Sequence, residues 1–325
     1  MKKTIWILLD NRIGSRHQAE GVAHYLDLNK FNIINKEIIY TKWASLPNFI
    51  RSNTLIGISP ETKANIKAPW PDFVLSASRR TAPVARFIKK QSPKTKLIQL
   101  LHIGRWGTKD FSLIFTPKHD SHKYQAPNIK YTLGSPHFIT KEKLEKAKQD
   151  WQETFKHLPH PITALIIGGS IKKRPFTIEQ AKELATAVKN LKNNEGGSLL
   201  ITTSRRTGEA AQNEIMSVLN NIPNYAYLWG SSGENPYLGY LACADNLIVT
   251  GDSVSMCCEA TGTGKPLRIY THPEWLTKKH LRFVQSLYNE GYAVSLTDEK
   301  ISPLKKSSSP LNVAQDIAIA ISNLE

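Results

Sequence analysis

Cysteine and long apolar runs are scarce in this sequence, and one stretch of it carries no acid at all. Three cysteines (Cys243, Cys257, Cys258) stand among 325 residues. None has the spacing of a disulfide framework or a zinc site, which fits a reducing cytoplasm. No apolar run approaches the ~18 residues that span a bilayer. Thr4–Leu9 follows Lys2 and Lys3 in the manner of a signal peptide, but Asp10 and Arg12 cut the run short, and it reads as a first β-strand. There is no Asp-x-Asp pair to grip a nucleotide diphosphate through a divalent cation, so no metal is expected. The sequence also lacks His-Glu-x-x-His, a Gly-x-Ser-x-Gly elbow and the Gly-x-Gly-x-x-Gly fingerprint.

The missing acids lie between Asp72 and Asp110, where nine bases and no carboxylate occur. The formal net charge is +16, and residues 1–160 hold 27 Lys and Arg against 12 Asp and Glu. Residues 161–325 hold 16 against 15. Genome bias toward lysine would enrich both halves alike, so the asymmetry points to an anionic partner for the first half. An anionic membrane surface or a phosphorylated acceptor fits. Nucleic acid is not expected, because the bases lack interleaved aromatics or a recognition motif.

Short apolar runs alternate with amphipathic segments. Strands are expected at Thr4–Leu9, Asn35–Tyr40, Phe73–Ala77, Leu97–Leu101, Leu113–Thr116 and Ile129–Thr132, with helices at Arg16–Leu26 and Thr81–Lys90. Thr140 is placed to cap a charged helix, Lys141–Lys156, before the stiff Leu158-Pro-His-Pro161 break. A second βα series follows, with strands at Thr163–Ile167, Ser198–Thr203, Tyr225–Leu228, Asn246–Thr250 and Leu267–Tyr270. The Lys305–Pro310 stretch reads as a flexible link. The expected fold is α/β, with two Rossmann-like doubly wound domains facing a cleft: residues 1–157 and residues 158–325, the last helix packing back on the first domain.

The chemistry is expected at the carboxyl ends of the strands, where open α/β sheets bind ligands. Strand ends run into Asp10-Asn-Arg-Ile-Gly-Ser15, Gly168-Gly-Ser170, Thr202-Thr-Ser-Arg-Arg206 and Thr250-Gly-Asp-Ser-Val-Ser255. Small residues, free backbone N–H groups at helix starts and arginines together suit a phosphate or pyrophosphate cradle. Glu259 lies a turn or two inside the helix opened by Ser253, where a carboxylate can accept both hydroxyls of a ribose. Gly262-Thr-Gly-Lys-Pro266 follows a helix, so it reads as a helix cap and turn rather than a phosphate loop.

Taken together these turns resemble the elongated-mitochondria (mitochondrial fission) family, whose fold is that of GT-B glycosyltransferases. The carrying segments are Gly14-Ser-Arg-His-Gln18, Ser78-Arg-Arg-Thr-Ala-Pro-Val-Ala85, Thr116-Pro-Lys-His-Asp120, Ile167-Gly-Gly-Ser170, Thr202-Thr-Ser-Arg-Arg206, Gly233-Glu-Asn-Pro-Tyr237 and Asp252-Ser-Val-Ser255 with Glu259 and Gly264-Lys-Pro266. The chain departs from the family at His17, where an Asn is common, and at Gln99–Arg105.

The resemblance implies a metal-independent transferase that needs no cofactor and moves a sugar from a nucleotide-sugar to a lipid or lipopolysaccharide-type acceptor. Donor contacts would come from Gly169, Ser170, Ser204, Arg205, Arg206, Glu234, Asn235, Asp252, Ser253, Val254, Ser255 and Glu259. Asn11, Gly14, Ser15, Gln18, Arg79 and Arg80 would lie on the acceptor side, with Asp10 and His17 as candidate bases. The expected location is cytoplasmic, peripheral on the inner face of the membrane. The eukaryotic members act by recruiting a fission protein, so a non-catalytic adaptor that keeps the fold is the alternative.

Overall fold

Two parallel sheets of six strands each organise the chain. The computed structural model describes residues 2–120, 125–297 and 310–324. All of the expected Lys305–Pro310 link except Pro310 lies outside them.

The first sheet contains β1 (Lys3–Asp10), β2 (Phe31–Ile38), β3 (Phe73–Ser76), β4 (Lys96–Leu100), β5 (Leu113–Pro117) and β6 (Ile129–Thr132), in the order β2-β1-β3-β4-β5-β6. The helices of this unit are α1 (Ile13–His24), α2 (Asn48–Arg51), α3 (Pro60–Asn65) and α4 (Ala82–Gln91). The N-terminal apolar run is β1, buried from Ile5 to Asp10, as a strand flanked by β2 and β3 must be. The expected second strand begins four residues earlier than the sequence suggests. Its FNIINKEI pattern is only partly buried at the sheet edge and carries Asn, Lys and Glu where a central strand would be apolar.

The second sheet contains β7 (Ile162–Ile167), β8 (Ser198–Thr203), β9 (Asn224–Tyr227), β10 (Asn246–Thr250), β11 (Leu267–Tyr270) and the two-residue β12 (Val294–Ser295), in the order β12-β11-β10-β7-β8-β9. Its helices are α5 (Lys141–Phe155), α6 (Ile178–Glu195), α7 (Glu209–Val218), α8 (Tyr237–Cys243), α9 (Val254–Thr261) and α10 (Lys278–Asn289). Thr177 opens α6 with a reciprocal capping box to Gln180, and the Thr140 hydroxyl accepts from the Lys143 amide at 3.3 Å to start α5. Each unit is thus a Rossmann-like, doubly wound domain.

The compact units are Met1–Phe138 with Asn312–Glu325, and Ile139–Leu311. The division therefore falls after Phe138, not at the Leu158–Pro161 break. Helix α5 belongs to the second unit because its apolar side packs on α8. Phe155 is 1% exposed, with its ring centroid 5.2 Å from that of Tyr225 and 5.6 Å from that of Tyr240. The last helix, α11 (Val313–Ser322), packs against α1 in the first unit, where Lys96 Nζ donates to the Leu324 carbonyl at 2.8 Å. Recounted on these boundaries, the first unit holds 22 Lys and Arg against 10 Asp and Glu, and the second 21 against 17. The asymmetry persists but is smaller, since the lysines of α5 move across. Among the described residues no helix is long and apolar enough to cross a membrane.

Gly21 shows how closely α1 sits on the chain beside it. A Cβ there would lie 2.1 Å from the backbone carbonyl oxygen of His137. In an open helix Gly→Ala stabilises by about 1 kcal/mol. Here the obstacle is backbone, and overpacking typically costs ~1–3 kcal/mol. Gly21→Ala is expected to lower the thermal unfolding midpoint by a few degrees; a rise would show that α1 can shift freely.

Candidate functional site

In a doubly wound sheet the crevice opens where strand order reverses. In the second unit that point lies between β7 and β10, and three loops meet there through hydrogen bonds. The centre is Asp252, 4% exposed. One carboxylate oxygen accepts from the Gly169 amide at 2.9 Å and meets Arg206 Nη1 at 2.7 Å. The other accepts from the Thr250 hydroxyl at 2.7 Å, which in turn accepts from the Gly168 amide at 2.7 Å. Burial pushes the Asp252 carboxyl above its ordinary value, and Arg206 opposes that shift.

The β8 loop is tied to the same carbonyls. Ser204 Oγ and Thr207 Oγ1 both donate to the Gly168 carbonyl, and Ser170 N donates to the Arg206 carbonyl at 2.8 Å. Gly169 sits at φ +145° with no room for a Cβ, which would lie 2.1 Å from the Arg206 backbone. Gly169, Ser170, Ser204, Arg206 and Asp252 therefore come together as expected, but they bond chiefly to one another. They build the loop cluster rather than offer free groups. Arg206 is committed to Asp252; Arg205, by contrast, is exposed and carries no ion pair among the described residues. It lines a 490 Å³ cavity with Gln212 and Trp229 beyond β8 and β9.

Ser253 caps α9, its hydroxyl accepting from the Met256 amide at 3.5 Å, and Val254 and Ser255 form the first turn. The first backbone N–H groups of a helix have no intrahelical partner, so this turn is the anion-facing end. Glu259 lies six residues after Ser253, about 9 Å along the axis. Burial raises its carboxyl to about 7, despite the opposing hydrogen bond donated by the Tyr237 hydroxyl. Tyr237, not anticipated from the sequence, thus holds the carboxylate that the family resemblance assigns to ribose. Glu234 and Asn235 are exposed in the β9–α8 loop, where Asn235 Oδ1 accepts from the Tyr237 amide at 3.0 Å. Lys265 Nζ donates to the Ala242 and Ala244 carbonyls at 2.7 and 2.6 Å, so Gly262–Pro266 is a structural turn that also ties down the end of α8.

In the first unit the order reverses at β1 and β3, and again a buried aspartate ends the central strand. Asp10, 1% exposed, accepts from Ser78 Oγ at 2.7 Å and from the Arg12 amide at 3.0 Å, and Arg80 Nη1 lies 3.6 Å away. The Arg80 guanidinium lies over the Tyr40 ring at 3.7 Å and donates to Asn11 Oδ1 at 3.2 Å. Asp10 is therefore a positioning carboxylate with both oxygens engaged. His17, on α1, rests its ring 4.0 Å from that of Phe138. Gly14 and Ser15 form the exposed and half-buried first turn of α1, and Gln18 Oε1 is buried with no hydrogen-bond partner among the described residues.

The two units share a device that the sequence displays twice, Ser78-Arg-Arg-Thr81 and Ser204-Arg-Arg-Thr207. In each, the Thr hydroxyl accepts from the Ser amide, at 3.2 and 3.0 Å, and the Ser hydroxyl accepts from the amide of the second Arg, at 3.1 and 3.2 Å. In each, the second Arg faces a buried aspartate and the first is exposed. Among the described residues no group of three His, Cys, Asp or Glu could hold a metal.

The profile of the Mitochondrial fission ELM1 family matches residues 13–324. The chain belongs to that family. It is 30% identical to an uncharacterized protein of Rickettsia prowazekii, covering 97% of this chain and 96% of that one. It is 28% identical to the mitochondrial fission protein ELM1 of Arabidopsis thaliana, over 82% of this chain and 66% of the plant protein. Among solved structures, the glycotransferase of kitacinnamycin aligns over 99% of both chains with a TM-score of 0.59 and 12% identity. A UDP-GlcNAc 2-epimerase from Neisseria meningitidis bound to UDP-GlcNAc aligns over 98% of this chain and 99% of that one, with a TM-score of 0.50 and 14% identity. These likenesses establish the GT-B-type pair of Rossmann-like domains for this ELM1-family chain.

Removing one partner of a buried ion pair typically costs ~3–5 kcal/mol, because the other charge is left uncompensated. Half-exposed Arg206 can turn to water, so Asp252→Ala is expected at the low end, near 3 kcal/mol by chemical denaturation. Arg205→Ala, an exposed change, should stay within about 0.5 kcal/mol. Equal effects from the two substitutions would contradict the division of labour described for this ELM1-family turn.

Proposed function

We propose that this ELM1-family chain is a metal-independent glycosyltransferase. In this reading the second unit binds a nucleotide-diphosphate sugar, and the first presents the acceptor side. The observation that carries the donor assignment is the alignment, on one helix, of a first turn at Ser253–Ser255 with free backbone N–H groups and a half-buried carboxylate at Glu259. That spacing suits a nucleoside diphosphate lying along α9, its ribose hydroxyls donating to Glu259 in place of Tyr237. Arg205 supplies the charge-assisted contact to the departing diphosphate, while Arg206 and Asp252 hold the loops still. The acceptor hydroxyl attacks the sugar carbon as the diphosphate leaves. A base near the acceptor takes its proton, with His17 and Asp10 as the candidates. The acceptor class is a cell-envelope lipid or lipopolysaccharide, and the excess charge of the first unit supports a peripheral position on an anionic membrane face.

A second reading, an adaptor that keeps the fold without transfer, is favoured by the relative named as a mitochondrial fission protein. Nucleotide-sugar binding separates the two. Ribose hydroxyls bond best to the ionised carboxylate, so affinity for UDP-N-acetylglucosamine should rise as Glu259 loses its proton, through pH ~7. Between pH ~6 and ~8 the expected gain is on the order of tenfold, and Glu259→Gln should bind more weakly with a flat profile. Calorimetric titration at several pH values checks this. Absence of binding at every pH would leave the adaptor reading.

A further inference from the structure

The first unit contains a cavity of 430 Å³ whose wall includes Arg12, Arg51, Arg79 and Arg80 and no carboxylate. It opens at the carboxyl ends of β1 and β3, the point where strand order reverses in that sheet. Phe49 and Trp106, 60% and 69% exposed, stand at its apolar side.

The charges there are poorly balanced. Arg51 is fully buried, and its nitrogens donate to the carbonyls of Ile56, Ala44 and Arg80, at 3.1, 3.4 and 3.1 Å. These bonds engage each of its three nitrogens without neutralising it. Asp10 offsets one charge through Arg80. Arg79 is exposed and donates through Nε to the His102 carbonyl at 3.4 Å, and Arg12 is exposed beside it in the wall. One buried, one partly buried and two exposed guanidiniums thus share a wall with a single carboxylate to offset them, an excess of positive charge that a further anion would complete. The repeated Ser-Arg-Arg-Thr turn points the same way. In both units the buried aspartate holds the second arginine and leaves the first, Arg79 or Arg205, lining a cavity.

We propose that this pocket binds a phosphate-bearing ligand, with Arg12 and Arg79 contacting the phosphate in the field of Arg51 and Arg80, and Phe49 and Trp106 covering an apolar portion. A single carboxylate would leave most of the excess charge in place; a phosphate monoester or a diphosphate brings about two negative charges. The inference deepens the proposed function, resting on it only for the ligand's role as acceptor or part of one.

The test compares two charge-matched pairs in the full chain. Arg12→Ala with Arg79→Ala removes the contacts at the carboxyl ends of the strands. Lys30→Ala with Lys94→Ala removes two exposed charges that precede β2 and β4, at the opposite sheet edge. Inorganic pyrophosphate is titrated at fixed salt, and sedimentation with phosphatidylcholine vesicles, with and without phosphatidic acid, is measured in parallel. The arginine pair should weaken one of these probes at least tenfold and the lysine pair less than twofold, with partial recovery in Arg12→Lys/Arg79→Lys. Dependence confined to pyrophosphate assigns a soluble phosphate; dependence of vesicle binding assigns a lipid headgroup. If neither probe depends on the arginine pair more than on the lysine pair, the pocket is only part of a diffuse basic field, and the proposal falls. UDP-N-acetylglucosamine affinity, read on the same variants, should not change. Its absence in the wild type would strike the transferase reading and leave the pocket standing.

Discussion

A buried aspartate facing an arginine at the end of a central strand is the constraint on which both candidate sites depend. Asp252 draws the Gly169 amide, the Thr250 hydroxyl and Arg206 onto two carboxylate oxygens. Three loops that would otherwise fray at the sheet edge are thereby fixed relative to one another. Asp10 does the same for the Ser78 turn, the start of α1 and Arg80. In each ion pair the carboxylate is buried and the guanidinium partly exposed, so the loss of the arginine would leave a buried charge uncompensated.

That constraint divides the arginines by task. In each Ser-Arg-Arg-Thr turn the second arginine stays with its aspartate, and the first is left exposed at a cavity wall. A phosphate group meeting the exposed arginine finds its neighbours already ordered, so little entropy is lost in forming the contact. Glu259 supplies the complementary element in the second unit. On α9, burial raises its carboxyl to about 7, and it accepts a hydrogen bond from the Tyr237 hydroxyl.

Much of the fold was legible in the amino-acid order because parallel strands buried on both faces read as apolar runs, and β8, β10 and β11 lie where those runs lie. Thr140 announced its helix through capping chemistry. The boundary between units was harder. Prolines marked a break in the chain after α5, yet it is the packing of Phe155 on Tyr225 and Tyr240, far along the sequence, that decides where α5 belongs. The strand-end loops likewise declared themselves as polar turns, but not which polar groups bond to each other. Asp252, Arg206 and Ser204 looked like ligand contacts, and only three-dimensional pairing shows them holding the loops. Tyr237 stood in the Gly233–Tyr237 segment with no role assigned to it, and Arg51 carried no local signal, since an arginine is ordinary on a helix surface; its burial comes from tertiary packing. The repeat of Ser-Arg-Arg-Thr was the one readable clue that both sheet edges use the same device.

The most direct test of this account is a double-mutant cycle on folding stability, using Asp252→Asn and Arg206→Gln singly and together. If the pair fixes the loop cluster, the two losses should be strongly non-additive, with a coupling energy of roughly 2 kcal/mol or more. Additive losses, within about 0.5 kcal/mol, would mean that the carboxylate and the guanidinium merely lie close together, and the central claim would be wrong.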